Sequence, residues 1–230
     1  MSTKRGGLAS YKIVKLYLIL YNVAQFIGWG MVLYGLVNGV TNGSSNKKLY
    51  QEVRLPLLFF QTLQLIEVIH AAIKLVPSSP VTTFLQIISR IVVCWCIVEP
   101  IPQTRSSIGL KLILGAWGLA ETTRYLYYAL NIISLVPGIL TWCRYSFFLV
   151  LYPTGVSGEL LLMYAALPYI KKQELLFYKL PNPLNISFYS DYAVMAFMAS
   201  YIPFFPKLYF YMVAQRNKTL SKSSSSKKSN

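Results

Sequence analysis

Six long apolar runs, at 16–37, 55–76, 81–98, 108–130, 139–170 and 192–213, dictate what this chain can become. About 20 predominantly apolar residues are enough to cross a hydrocarbon layer about 30 Å thick. In that solvent each backbone N–H and C=O needs a partner within its own segment, so the runs predict helices. Composition agrees, with 55% hydrophobic residues, 13% charged residues and a mean hydropathy of +0.47. Such a balance suits a protein whose solvent is lipid. The expected fold is all-α, a polytopic membrane protein built as a bundle of six transmembrane helices. Residues 1–15 are then a basic N-terminus and 16–213 the membrane domain. Residues 214–230 form a Ser/Lys-rich tail, expected to be disordered because it has little apolar surface to bury.

The net charge of +15 raises the question of nucleic acid. The Lys and Arg residues sit mainly at the termini and between the apolar runs, the ordinary pattern beside membrane spans, so no nucleic-acid partner is expected. Cys94, Cys96 and Cys143 all fall within apolar runs, with neither a disulfide framework nor zinc-ligand spacing. With His70 as the one histidine, a histidine-cluster metal site is excluded, and no metal or cofactor is expected. No Gly-rich phosphate loop or nucleophile elbow is present either.

Six crossings bring both termini to the same side. Lys4, Arg5, Lys12, Lys15, Lys207, Arg216, Lys218, Lys222, Lys227 and Lys228 lie at or beside them, which points to the cytosol. The polar stretches 38–54 and 171–191 then face the opposite side as loops. The first run is too long for a cleavable signal. Lys227 and Lys228, ahead of Ser229 and Asn230, match a dilysine retrieval address for the endoplasmic reticulum.

Ionisable residues inside apolar runs are expensive and mark function by default. Glu67, Gln86, Arg90 and Arg144 place three charged groups on three different spans, and these polar residues are expected to meet inside the bundle. Glu121 and Arg124, three residues apart, are expected to form a self-contained pair. Tyr152 and Glu159 are seven residues apart, which sets them on nearly one helix face, about 10 Å apart along the axis. Pro153 is expected to break the helix between them, with Gly155 and Gly158 allowing close approach of a ligand or another helix. A phenol and a carboxyl in an apolar setting suit acid–base chemistry.

The run Leu151-Tyr152-Pro153-Thr154-Gly155-Val156-Ser157-Gly158-Glu159 resembles the 3-hydroxyacyl-CoA dehydratases of very-long-chain fatty acid elongation, also called protein-tyrosine-phosphatase-like proteins. Arg144-Tyr145-Ser146-Phe147-Phe148, Tyr164-Ala165-Ala166-Leu167-Pro168, Leu20-Tyr21-Asn22 with Gly28-Trp29, and Gln86-Ile87-Ile88-Ser89-Arg90 fit as well. The resemblance spans residues 16 to about 216. It implies six spans in the endoplasmic-reticulum membrane and the loss of water from a (3R)-3-hydroxyacyl-CoA to give a trans-2-enoyl-CoA, the third step of the elongation cycle. By the same resemblance Tyr152 and Glu159 are catalytic, and Glu67, Gln86, Arg90, Arg144 and Gly155 support them or the substrate. The implied partners are the acyl-CoA substrate, membrane lipid, and the condensing enzyme, ketoacyl reductase and enoyl reductase of the cycle.

The phosphatase label does not carry over to chemistry. At the corresponding run, His70-Ala71-Ala72-Ile73-Lys74-Leu75-Val76-Pro77, neither the cysteine nucleophile nor the phosphate-binding arginine is present. The elimination needs a base at C2 and an acid at the C3 hydroxyl. Tyr152 is assigned to the first and Glu159 to the second, and the reverse assignment stays open on sequence. A scaffold that kept the bundle and lost turnover predicts degraded catalytic positions, whereas both are intact. A transporter would show paired broken helices or an internal repeat, and neither is evident.

Overall fold

The computed structural model describes residues 12–173, 175 and 189–228, with side chains described as far as Thr219. The order of elements is α1 (Lys12–Thr41), α2 (Asn46–Leu63), α3 (Leu65–Ala72), α4 (Pro80–Val92), a π-helical turn (Val93–Val98), a 3-10 turn (Pro102–Ser106), α5 (Ile108–Ile132), α6 (Gly138–Ser146), α7 (Phe148–Gln173) and α8 (Ser190–Lys228). No strand occurs among the described residues. Five helical stretches are long and apolar enough to cross a membrane: Lys12–Thr41, Asn46–Ala72, Pro80–Val98, Gly138–Gln173 and Ser190–Thr219. The sixth is α5, which carries Lys111, Glu121 and Arg124 and lies between α1 and α7 at the centre of the bundle.

The bundle has an apolar core, but its exterior is apolar too and several polar groups lie inside. Helix α1 turns Leu16, Leu20, Ile27 and Met31 outward while burying Asn22 and Gln25. Gln61, Gln64, Glu121 and Glu159 are likewise interior, whereas Phe59, Val150 and Phe210 face out. Apolar side chains facing out lose nothing in lipid, and the polar groups find their partners inside.

Several elements depart from the sequence expectations. The stretch 38–54 is almost all helical, because α1 runs to Thr41 and the Ser45 side chain accepts from the Lys48 N–H to start α2. Gly43, at φ +62°, makes the left-handed turn between them. The second span is interrupted at Gln64, between α2 and α3, and Lys74 lies past the end of α3 at φ 59°. Helix α8 runs from Ser190 to Lys228, into the Ser/Lys-rich stretch. Extending an existing helix avoids the cost of nucleation, so weak helix formers can prolong it. The loop carrying Pro181-Asn182-Pro183 lies outside the described residues.

Pro153 does not break the helix. It sits inside α7, and the break falls earlier at Phe147, between α6 and α7. A proline ring collides with the carbonyl four residues before it, here that of Leu149 inside α7, so the break at Phe147 is not its direct effect. Pro203 and Pro206 similarly lie inside α8 without ending it.

At the end of the bundle where α2 begins, Glu99 ties three elements together. It accepts hydrogen bonds from the Tyr50 hydroxyl at 2.7 Å and from Arg54 Nε at 2.9 Å, with Arg105 at 3.7 Å. The Arg54 guanidinium, helped by the Tyr50 hydroxyl and Arg105, holds the Glu99 carboxyl below the usual carboxylate range.

Candidate active site

Tyr152 and Glu159 both come from α7, on one face and two turns apart. Because α7 is continuous between them, α8 completes the arrangement. Running antiparallel, it presents Tyr201, Phe205 and Tyr209 at four-residue spacing, which makes one stripe. The Tyr201 hydroxyl donates to Oε2 of Glu159. The Phe205 ring stacks on Tyr152 with centroids 5.0 Å apart and planes at 4°, and Tyr209 stacks at 6.5 Å and 22°. The Tyr152 hydroxyl makes no hydrogen bond among the described residues, so it is available to a ligand.

Glu159 is 6% exposed. Its Oε1 accepts from Trp117 Nε1 on α5 at 3.2 Å, and no ion pair to Glu159 occurs among the described residues. A glycine crossing delivers that indole. A Cβ on Gly109 would stand 2.6 Å from the Gly158 carbonyl, and one on Gly158 would stand 2.8 Å from Ile113 Cγ2 and 3.0 Å from the Gly109 carbonyl. Only hydrogen fits between α5 and α7 there. At Gly155 a Cβ would be 3.5 Å from Trp117 Nε1, an ordinary contact against the indole that holds Glu159.

Arg90 does not pair with Glu159. It bonds to Glu121 and lies over the Trp117 ring, 5.3 Å from its centroid. Arg124 stands 2.7 Å from Glu121 and 3.1 Å from Glu67, so Glu121 and Arg124 are links in a longer chain and not a self-contained pair. Glu67 also accepts from the hydroxyls of Tyr125 and of Tyr21, the latter at 3.3 Å. A polar chain thus runs from α4 through α5 to α3 and α1.

Of the residues expected to meet, Glu67 and Arg90 are joined through Glu121 and Arg124. Arg144 stays apart, donating to the Tyr128 hydroxyl at 3.3 Å and lying near the Tyr128 and Tyr145 rings. Gln86 is exposed on α4, one turn before Arg90, with no side-chain hydrogen bond among the described residues. Trp117 and Tyr201 were not expected at the site. Tyr201 is one of 18 tyrosines, and only its four-residue spacing to Phe205 and Tyr209 hinted at a working face.

Comparison with known proteins agrees over most of the chain. The family described as "Protein tyrosine phosphatase-like protein, PTPLA" matches residues 61–222. The chain is 42% identical over 212 residues to the very-long-chain (3R)-3-hydroxyacyl-CoA dehydratase 2 of Mus musculus, covering 92% of this chain and 84% of that protein. It is 42% identical over 215 residues to the very-long-chain (3R)-3-hydroxyacyl-CoA dehydratase hpo-8 of Caenorhabditis elegans, covering 93% and 99% respectively. Against the very-long-chain (3R)-3-hydroxyacyl-CoA dehydratase PASTICCINO 2B of Oryza sativa subsp. japonica it is 40% identical over 209 residues, covering 90% and 94%. No solved structure matches. With a family match over more than half its length and relatives aligned nearly end to end, the chain belongs to the protein tyrosine phosphatase-like (PTPLA) family.

Proposed function

We propose that this chain is a very-long-chain (3R)-3-hydroxyacyl-CoA dehydratase that eliminates water to give the trans-2-enoyl-CoA, with Tyr152 and Glu159 as its proton-transfer pair. The carrying observation is that a buried carboxyl, held at both oxygens by Trp117 and Tyr201, shares one helix face with a phenol whose hydroxyl is uncommitted. A phosphatase reading has no support, since the run 70–77 offers no thiolate.

In this reading Tyr152 takes the C2 proton as its phenolate, the form of a phenol that acts as a base. The freed electron pair forms the C2–C3 double bond as the C3–O bond breaks. Glu159 gives its proton to the departing hydroxyl, which leaves as water. The proton on Tyr152 then passes to Glu159 and resets the pair. Trp117 Nε1–H can only donate, so Oε1 is always the acceptor and the mobile proton resides on Oε2, beside Tyr201.

The CoA head carries several negative charges and stays in water, near the cations at the α6–α7 junction and the far end of α8. With cytosolic termini that end faces the cytosol, and Lys12, Lys15, Lys207 and Arg216 are the candidate contacts. Arg216 already reaches Ser146 at the junction, at 3.1 Å. The pair Lys227 and Lys228, read as a retrieval address, puts the protein in the endoplasmic-reticulum membrane, where the condensing enzyme, ketoacyl reductase and enoyl reductase would be its partners. Glycan on Asn217, a sequon on the cytosolic side in this orientation, would overturn it.

The test is purified protein in detergent with a long-chain (3R)-3-hydroxyacyl-CoA, following enoyl-CoA formation. Tyr152→Phe and Glu159→Gln should each lower turnover by roughly 100-fold, the scale of general acid–base catalysis, in protein that still folds. Exchange of the C2 proton with solvent deuterium assigns the roles, since it should vanish in Tyr152→Phe and persist in Glu159→Gln. Retention of more than about a tenth of turnover by either variant would remove that residue from the mechanism.

A further inference from the structure

We infer that the apolar cavity between the π-helical turn, the second half of α7 and the first half of α8 holds the proximal part of the substrate's acyl chain. This rests on the dehydratase reading above and adds where the chain lies and how much of it the protein recognises.

The cavity encloses about 350 Å³ and is bounded by Ile97, Met163, Ala193, Val194 and Phe197 among others. Each of its three walls starts just beyond a polar residue of the site. On α7, Met163 follows Glu159 by one turn. On α8, Phe197 precedes Tyr201 by one turn. On α4, the wall begins at Val92, two residues after Arg90. Polar groups at one end and apolar walls beyond them match a molecule whose reacting carbons end one segment and whose hydrocarbon fills the next. Ordinary bilayer lipid has no use for the carboxyl and phenol at that end.

The wall on α4 is itself unusual. Residues Val93–Val98 form a π-helical turn, which widens the helix and is found mostly at functional sites. It buries Val93, Cys94 and Ile97 and leaves Trp95, at 46% exposure, at the lipid-facing lip of the cavity. Met163 adds a pliable, unbranched wall.

The cavity's reach can be sized. Ile170, at its far wall, lies about 16 Å beyond Glu159 along α7. An extended chain advances about 1.2 Å per bond, so about 13 carbons fit. Longer chains continue past Trp95 into the bilayer. For an acyl-CoA drawn from water, each methylene taken into the cavity is worth about fourfold in affinity, so selectivity should rise with chain length up to the cavity's reach and then level off.

Two measurements test this. The first is kcat/KM across (3R)-3-hydroxyacyl-CoAs from hexanoyl to icosanoyl, for wild type and Ala193→Trp, which sets a large ring two turns beyond Tyr201. Wild type should rise steeply and then plateau, and Ala193→Trp should lower the long-to-short ratio at least tenfold. The second uses the wild-type protein and a dodecanoyl-length acyl-CoA with a photoreactive group at its methyl end. Its label should fall on α7 peptides beyond Met163 or on α8 peptides near Ala193, which decides the matter even if Ala193→Trp does not fold. A flat wild-type profile, a folded Ala193→Trp with an unchanged ratio, or labelling confined to the α6–α7 junction would overturn the inference. If the wild type dehydrated no substrate of any length, the dehydratase reading itself would fail, while the labelling would still report on the cavity.

Discussion

The Tyr201 hydroxyl donates to Oε2 of Glu159 across the α7–α8 interface while Trp117 holds Oε1 from α5. The carboxyl is therefore fixed in rotation by two helices, neither of which carries it.

Removing the Tyr201 hydroxyl should cost turnover more than stability. A hydrogen bond to a charged group is worth about 1.5–3 kcal/mol, so Tyr201→Phe is expected to lower kcat by roughly 10- to 100-fold. KM should change little, because the ring and its packing remain. The pH profile of kcat should also move, since Tyr201 touches the oxygen that carries the mobile proton. An unchanged profile with unchanged kcat would make Tyr201 a packing residue only.

The glycines of α7 should separate fold from chemistry. Gly158→Ala drives a Cβ into Ile113 and the Gly109 carbonyl, and overpacking of this kind costs about 1–3 kcal/mol. It should lower the melting temperature in detergent. Gly155→Ala meets only ordinary contacts, so its melting temperature should stay near wild type, and any effect should appear in kcat through the new methyl group against the Trp117 indole. Equal melting temperatures for the two variants would contradict the crossing.

Acid should loosen the Glu99 end before the rest of the bundle. Its carboxyl is held low by Arg54, with Tyr50 and Arg105 beside it. A carboxyl depressed in the folded state stabilises at pH above its unfolded value, and that contribution fades as pH falls through the lower folded value. Between those two values wild type should lose stability that Glu99→Gln, already lacking the charge, does not lose. Parallel losses in both proteins over that window would dismiss the Glu99 tie.

Neutralising Lys207 and Arg216 together should raise the KM for acyl-CoA and flatten its salt dependence, with kcat at saturation nearly unchanged. Lys47 and Lys48, at the opposite end where α2 begins, should do neither when neutralised. If the latter pair controlled KM, the head group would bind at the other end.

The bundle was legible because long apolar runs admit few structures in lipid, and α5 was found at nearly its observed limits. What sequence misjudged was local. Pro153 reads as a breaker, yet α7 runs through it and the break lies six residues earlier, at Phe147. The stretch 38–54 looked like a loop because its polar residues are those of two helix ends meeting at Gly43. At the site, Tyr152 and Glu159 stood out because their run carries a specific pattern. Trp117 and Tyr201 did not, because their roles depend on how α5 and α8 align with α7, which the Gly109–Gly158 crossing and the aromatic stripe decide only in three dimensions. Glu121 and Arg124 were recognised as partners, but their links to Arg90 and Glu67 come from other helices.

The chain Arg90–Glu121–Arg124–Glu67 alternates two bases with two acids and is electroneutral as a unit. Glu159 stands beside it and belongs to none of its pairs. In the proposed mechanism it can therefore gain or lose a proton without stranding an arginine in the membrane. Taking away one member of the quartet would leave its neighbour without a counter-ion, a loss of about 3–5 kcal/mol for a buried pair. The charges that hold the helices together and the proton assigned to the chemistry thus belong to different residues of one interior, so the proposed acid could cycle while the architecture stays put.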